Sequence, residues 1–230
     1  MNINGRKIGI TLFLGALIVS SISLIVTIGD EKIIKLPDPK MKGKMSVEEA
    51  IKERRSERTF TDTPLTLKQL SQILWASQGI TEGEKRAAPS AGATYPIDLY
   101  IVVGEGGVEG IGAGLYHYIP REHRIERILE GDLRSRLAKA SLFQMFIADA
   151  PISIVITGDY ERTTARYGER GTRYVHMEAG HVSQNIYLQV EALGLGTVAV
   201  GAFHDDRVSE ALNLPEKHEP LYLMPIGYTK

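Results

Sequence analysis

Arg54, Arg55 and Arg58 place three guanidiniums within five residues, with the hydroxyl of Ser56 between them. Arginine offers planar, forked donors that suit phosphate, so this segment is a candidate phosphate grip. The competing reading is a solvated helix end, where arginine complements the negative C-terminal dipole. A second segment, Ala87 to Pro96, sets Ser90, Ala91, Gly92 and Ala93 between Pro89 and Pro96. Small residues let a flat ligand approach the backbone closely, although an ordinary rigid loop ahead of a strand has the same make-up. A third segment, Gly194 to Phe203, reads as a strand with Val200, Gly201 and Ala202 near its end. Glycine there could present bare backbone N–H groups to a ligand; a buried strand that tolerates a glycine is the plainer alternative.

Other chemistries are excluded. The chain has no cysteine, which rules out disulfides, iron–sulfur clusters, thiolate zinc sites, thiol nucleophiles and lipoprotein lipid attachment. His176 and His181 are five apart on a predicted helix, so they face different directions and make a poor zinc pair. No metal site is expected. Gly110 to Gly114 imitates a dinucleotide loop, but the following Leu115-Tyr116-His117-Tyr118 reads as strand, so the helix N-terminus that binds pyrophosphate is missing. There is no Walker A sequence and no Gly-x-Ser-x-Gly. With 27 basic and 28 acidic residues the net charge is -1, which argues against a nucleic-acid partner.

The elements that must position these segments follow from periodicity and caps. The 230 residues suit one domain with an appendage. Ser46-Val47-Glu48-Glu49 and Thr66-Leu67-Lys68-Gln69 are capping boxes that open two helices, the second stopping near Gly79. Strands are expected at Ile97 to Val103, Ile152 to Thr157, Thr197 to Phe203 and Pro220 to Tyr228. Gly114 to Ile119 and Arg124 to Leu129 look like a hairpin, and a helix is expected from about Asp132 to Asp149. The longest helix should run from about Arg173 to Leu193, with Val175, Ala179, Val182, Ile186, Val190 and Leu193 as its apolar stripe. Strands and helices mix without a regular βαβ repeat, so the fold class is α+β.

The first thirty residues differ from the rest. Ile8 to Ile28 is an uncharged, Ile-, Leu- and Val-rich stretch of 21 residues. As a helix it would rise about 32 Å, enough for a bilayer core. An uncleaved transmembrane anchor is the expectation, with a cleaved signal peptide or a buried helix as rivals. The organisation expected is therefore an anchor at 1–29, a lysine- and proline-bearing linker at 30–44, and a domain at 45–230. Five lysines follow the span and two basic residues precede it, a slight lean toward a cytoplasmic domain on a membrane-localised protein.

Taken in order, these segments resemble the FMN-dependent nitroreductase family, and most closely its branch of azoline-type (SagB-like) dehydrogenases. The family's Arg-Arg-Ser-x-Arg stands at Arg54 to Arg58, its Pro-Ser-Ala-Gly-Ala-x-Tyr-Pro at Pro89 to Pro96, its Glu-Ala-Gly-His-x-x-Gln-Asn at Glu178 to Asn185, and its Leu-Gly-Leu-Gly from Leu193. The resemblance implies a nitroreductase-like fold, a mostly antiparallel sheet flanked by helices, in a homodimer that holds FMN at its interface. It implies that Arg54, Ser56 and Arg58 hold the FMN phosphate and ribityl chain, and that Arg55 lies against the flavin. Pro89, Ser90, Ala91 and Gly92 would line the ring. Val200, Gly201 and Ala202 would bring a backbone N–H to flavin N5, and Gln144 would touch the ring from the partner subunit. Azoline-forming relatives carry a Lys-Tyr pair before the long helix; here it is Arg166-Tyr167, which leaves Tyr167 as a candidate catalytic residue and azoline oxidation in doubt, because arginine stays protonated. Lys230 is the candidate for a further basic contact to phosphate.

Three functions follow as expectations. The first is an FMN oxidoreductase that takes hydride from NAD(P)H and reduces a nitro, quinone or similar small-molecule acceptor by a ping-pong mechanism. The second is a flavin dehydrogenase or oxidase acting on a heterocycle or peptide product. The third is a membrane-tethered flavin-binding protein without turnover.

Overall fold

The computed structural model describes residues 32–230. In chain order its elements are β1 Ile33–Lys35, α1 Val47–Glu53, α2 Leu67–Gln78, β2 Ile80–Glu82, β3 Lys85–Arg86, β4 Ile97–Val103, β5 Gly114–Ile119, β6 Arg124–Glu130, α3 Arg134–Ala140, α4 Phe146–Asp149, β7 Ile152–Gly158, α5 Tyr160–Tyr167, α6 Arg170–Ala192, β8 Gly196–Thr197, α7 Asp205–Leu212 and β9 Glu219–Gly227. Seven strands form one antiparallel sheet in the order β1-β6-β5-β4-β7-β9-β8, and β2 and β3 make a separate two-stranded ribbon.

The apolar runs at β4 and β7 are explained by burial on both faces, because successive side chains of a strand point to opposite sides. Leu99, Ile101 and Val103 pack with Ile73 and Leu74 of α2 and with Val182 and Ile186 of α6. Tyr100 and Val102 face the other way, toward Leu137 of α3 and Val208 and Leu212 of α7. The two central strands pair from Ile97 opposite Gly158 to Val103 opposite Ile152. The apolar stripe expected on the longest helix is buried, with Val175, Ala179, Val182, Ile186 and Val190 each at most 1% exposed. Both capping boxes are present, with Ser46 and Glu49 bonding reciprocally and Thr66 and Gln69 doing the same.

Several boundaries differ from the expectation. The helix expected over 132–149 is two short ones, α3 and α4, because Leu142 and Phe143 take left-handed backbone with φ of 56° and 58°. The longest helix begins at Arg170, and α5 folds back before it through Gly168 at φ 59° and ψ -152°, a combination that favours glycine. The strand expected at 197–203 is reduced to β8 and a single bridge from Val200 to Leu223. Within the segment read as linker, β1 lies on the edge of the main sheet, with Ile33, Ile34 and Lys35 opposite Glu126, Ile125 and Arg124.

The expectation of a membrane-localised, anchored protein is corrected. Among the described residues no helix is long and apolar enough to cross a membrane. Residues 8–28, on which that expectation rested, lie outside the described residues.

Candidate active site

Helix α1 ends at Glu53 because Arg54 turns to φ -47° and ψ 127°. The loop that follows is stitched to the sheet: Glu57 N–H donates to the Thr197 carbonyl at 2.9 Å and Thr61 N–H to the Tyr228 carbonyl at 2.8 Å. Tyr187 of α6 is the hub beside it. Its phenol oxygen lies 3.0 Å from Ser56 Oγ and accepts the Ala199 N–H at 2.8 Å, while the Arg54 guanidinium sits 5.0 Å over its ring. The turn between α3 and α4 closes the same cluster. Gln144 Nε2 donates to the Ala202 carbonyl at 2.7 Å, and Arg58 stands 5.9 Å over the Phe146 ring. Gln144 thus meets the 200–202 segment of its own chain.

The three arginines divide between the two readings. Arg55 turns back on α1, its Nη1 donating to the carbonyls of Lys52, Glu53 and Arg54 at 2.8 to 2.9 Å, so it serves the helix end. Among the described residues neither Arg54 nor Arg58 makes an ion pair with a carboxylate. Two uncompensated guanidiniums around a hydroxyl fit a phosphate ester. Val200 spends both backbone groups on Leu223, at 2.8 and 2.9 Å, and is buried. Gly201 and Ala202 are exposed, and among the described residues their N–H groups carry no hydrogen bond. The donor set therefore fits FMN: cations for the phosphate and main-chain N–H groups for a ring edge. Lys230 reaches the same loop through its N–H, 3.4 Å from the Thr59 carbonyl.

The second segment forms a strained turn. Gly92, Ala93 and Tyr95 have φ of 60°, 54° and 48°. Left-handed backbone at non-glycine residues costs energy and persists only where the surroundings hold it. Here Tyr95 N–H donates to Ser90 Oγ at 2.9 Å, Thr94 and Thr163 hydroxyls lie 2.8 Å apart, and Arg166 Nη1 donates to the Gly92 carbonyl at 3.0 Å. Arg86 covers the Tyr95 ring at 4.5 Å, and Arg162 donates to the Tyr95 carbonyl at 3.2 Å. A Cβ on Gly92 would lie 2.5 Å from Tyr167 Oη, so the phenol stands directly against the turn. Pro89, Gly92 and Ala93 are exposed, with Ser90 and Ala91 half-buried.

Two groups support the turn from inside. Glu178 of α6 is 2% exposed, and burial pushes its carboxyl up to about 7 against the opposing influence of Ser90, Gln78 and Arg86. Asp98 anchors Arg162 at 2.7 Å and meets His117 Nε2 at 3.1 Å. Burial alone would raise Asp98, but the His117 hydrogen bond and the Arg162 and His218 charges hold it below its ordinary value.

The two clusters lie on different sides of α6. Glu178, under the turn, and Tyr187, beside the arginines, are nine residues apart. That is a rise of about 14 Å and a rotation of about 180°. Among the described residues no hydrogen bond or ion pair joins the two clusters. The sequence reading missed Tyr187 and Phe146 and assigned no role to Glu178, Gln78 or Arg86. The only available signal for Tyr187 was a polar aromatic lying off the core stripe of the longest helix.

The nitroreductase family model matches residues 51–228, and the chain belongs to that family. A protein of Methanocaldococcus jannaschii named as a nitroreductase is 50% identical over 200 residues, covering 86% of this chain and 98% of that one. The NADPH-flavin oxidoreductase of Vibrio harveyi is 27% identical over 112 residues, 45% of this chain and 47% of its own. The microcin B17-processing protein McbC of Escherichia coli is 27% identical over 136 residues, 58% and 50% of the two chains. In the solved structures, a protein of Ralstonia eutropha described as a nitroreductase superposes with a TM-score of 0.76 at 31% identity, covering 87% of this chain and 90% of that one. The chain is an oxidoreductase, and the expectation of a binding protein without turnover is set aside.

Proposed function

We propose that this chain is an FMN-dependent oxidoreductase that takes hydride from NAD(P)H and passes electrons to a nitro, quinone or similar small acceptor in a ping-pong cycle. The observation that carries the reading is one linked cluster: Arg54 and Arg58, which pair with no carboxylate among the described residues, the Ser56 hydroxyl, and the N–H groups of Gly201 and Ala202, open among the described residues. Bound FMN would supply the hydride chemistry, and the protein supplies grip, orientation and hydrogen bonds. Arg54, Ser56 and Arg58 hold the phosphate. Gly201 and Ala202 donate toward the ring. Pro89, Ser90, Ala91 and Gly92 offer a flat, nearly side-chain-free wall to it.

Two copies complete each site in this reading. One chain carries its arginine cluster and its small-residue turn on different sides of α6, so a second copy is needed to bring a turn to an arginine cluster. The outer ridge of α6 suits that contact. Arg173, Met177, Gly180 and Gln184 are exposed in helical succession, and a Cβ on Gly180 would have nothing within 4 Å, leaving room for a close approach.

The second reading, oxidation of a heterocycle or peptide product, is favoured by the McbC relative and by Tyr167 standing against Gly92. Arg166 weighs the other way. It is spent on the Gly92 carbonyl, so it clamps the turn where a base would be needed. The test is the purified full-length protein. It should be yellow with releasable FMN, bleach with NADH or NADPH under anaerobic conditions, and recover colour with a nitro or quinone acceptor. Colour without bleaching by either nucleotide would favour the second reading. Failure to take up FMN would overturn both.

A further inference from the structure

An open cleft of about 320 Å³ lies between α3 and α7. Arg136 and Lys139, three apart on α3, line it from one helix and Arg207 lines it from the other. Among the described residues none of the three makes an ion pair. Glu210 is the one carboxylate in the lining; Asp205 and Asp206, at the start of α7, are not part of it. Three cations and one carboxylate leave an excess of two positive charges. A phosphate monoester carries about -1.5 to -2 at neutral pH. Arginine's planar fork suits such a group.

An aromatic ring lines the same cleft. Phe143 is 66% exposed and has left-handed backbone at φ 58°, so neither burial nor backbone preference accounts for where it stands. Such backbone persists where its surroundings hold it, and it gathers at ligand sites. Here Gln144 holds the turn, its N–H and its Nε2 both donating to the Ser141 carbonyl at 3.1 and 2.9 Å. The same Nε2 donates to the Ala202 carbonyl at 2.7 Å, and the His204 N–H donates to the Ala140 carbonyl at 3.2 Å. The cleft therefore adjoins the segment whose N–H groups face the proposed ring edge.

We infer that this cleft seats a phosphorylated adenosine, the end of NADPH that distinguishes it from NADH, and so makes NADPH the preferred donor. This rests on the proposed use of NAD(P)H at the FMN site. With nicotinamide at the ring, the adenosine end needs a seat of its own along the surface. Phe143 stacks on the purine, which both dinucleotides carry. Arg136, Lys139 and Arg207 take the extra phosphate, where NADH offers only a hydroxyl. The ring thus gives affinity to both nucleotides and the cations give the choice between them.

The experiment titrates the full-length protein by calorimetry with adenosine 2′,5′-bisphosphate and with adenosine 5′-monophosphate, which differ by that one phosphate. It also measures kcat/KM for NADPH and NADH. Wild type should favour the bisphosphate and NADPH by about tenfold or more, the worth of one charged hydrogen bond. Lys139→Ala combined with Arg207→Ala should erase both preferences through the KM for NADPH, with kcat and the NADH constants unchanged. The unchanged NADH constants show that the variant is folded. Phe143→Ala should weaken both dinucleotides alike, about fivefold or more. Equal wild-type affinity for the two adenosine nucleotides would overturn the inference. So would a double variant that weakens both dinucleotides equally, which would assign the cations to the shared pyrophosphate. Loss of a dimer in Phe143→Ala, read by sedimentation, would give the ring to a second copy and overturn its place in the cleft. If bound FMN bleaches with neither dinucleotide, the proposed donor fails, and the bisphosphate titration still decides the cleft.

Discussion

Ser56 Oγ and Tyr187 Oη stand 3.0 Å apart across 131 residues of sequence, and either hydroxyl can donate to the other. Tyr187 also accepts the Ala199 N–H at 2.8 Å; with its own proton given to Ser56, the Ser56 proton faces outward. An anion beside Arg54 and Arg58 would receive it. Tyr187→Phe removes both bonds. FMN affinity should fall about three- to tenfold and stability by about 1 kcal/mol, read by flavin titration and urea unfolding. Unchanged affinity would dissociate Tyr187 from the phosphate end.

Arg55 and Arg58 provide a matched pair. Arg58→Ala removes a charged donor and should weaken FMN binding about ten- to a hundredfold with the bound flavin spectrum unchanged. Arg55→Ala should leave FMN affinity unchanged and cost about 0.5–1 kcal/mol, because Arg55 serves the carbonyls at the end of α1. Equal effects on affinity would show that the two residues share one role.

Substituting Gly92 tests the strained turn. At φ 60° an alanine there costs about 1–2 kcal/mol from backbone alone, and its Cβ would meet Tyr167 Oη. Gly92→Ala should therefore destabilise by about 2 kcal/mol or more. Adding Tyr167→Phe, which deletes the clashing oxygen, should recover part of that loss in urea unfolding. Strict additivity of the two changes would refute the contact.

The capping boxes, the central strands, the hairpin and the stripe on α6 were legible because each is a local or periodic signal. The break at Leu142 and Phe143 was not, since neither residue type announces left-handed backbone; the Gln144 bond to Ala202 and the Phe146 contact with Arg58 hold that turn. Likewise β1 is three residues long and becomes a strand only through β6. At the site, the segments at 54–58, 89–92 and 200–202 could be read as motifs. Their supports could not. Tyr187 is joined to Ser56 over 131 positions, and Arg162 and Arg166, which clamp the turn, come from a helix far along the chain.

Asp98 predicts a pH dependence of stability. Its folded pKa lies below the unfolded value, so the stabilisation is present above about pH 3.9 and is lost as pH falls through the folded pKa. Asp98→Asn should cost about 2–3 kcal/mol at pH 7, with the gap between wild type and variant narrowing as pH falls through the folded pKa of Asp98. A gap that stays the same size as pH falls would place its cause in packing, not charge.

The edge position of β1 has a consequence for any shortened form of the protein. Ile34 and Leu36 are 4% and 2% exposed, and the strand covers one side of β6. A fragment cut at Met45, or at the start of the family match at residue 51, would uncover both the apolar seat of those side chains and the unpaired N–H and C=O groups of β6. A bare strand edge is a template for another chain. Lys32, just before the short edge strand, and Lys35, at its end, are the kind of charged gatekeepers that discourage such pairing. Trimming to the catalytic domain as the family alignment draws it would exchange a guarded edge for one prone to aggregation.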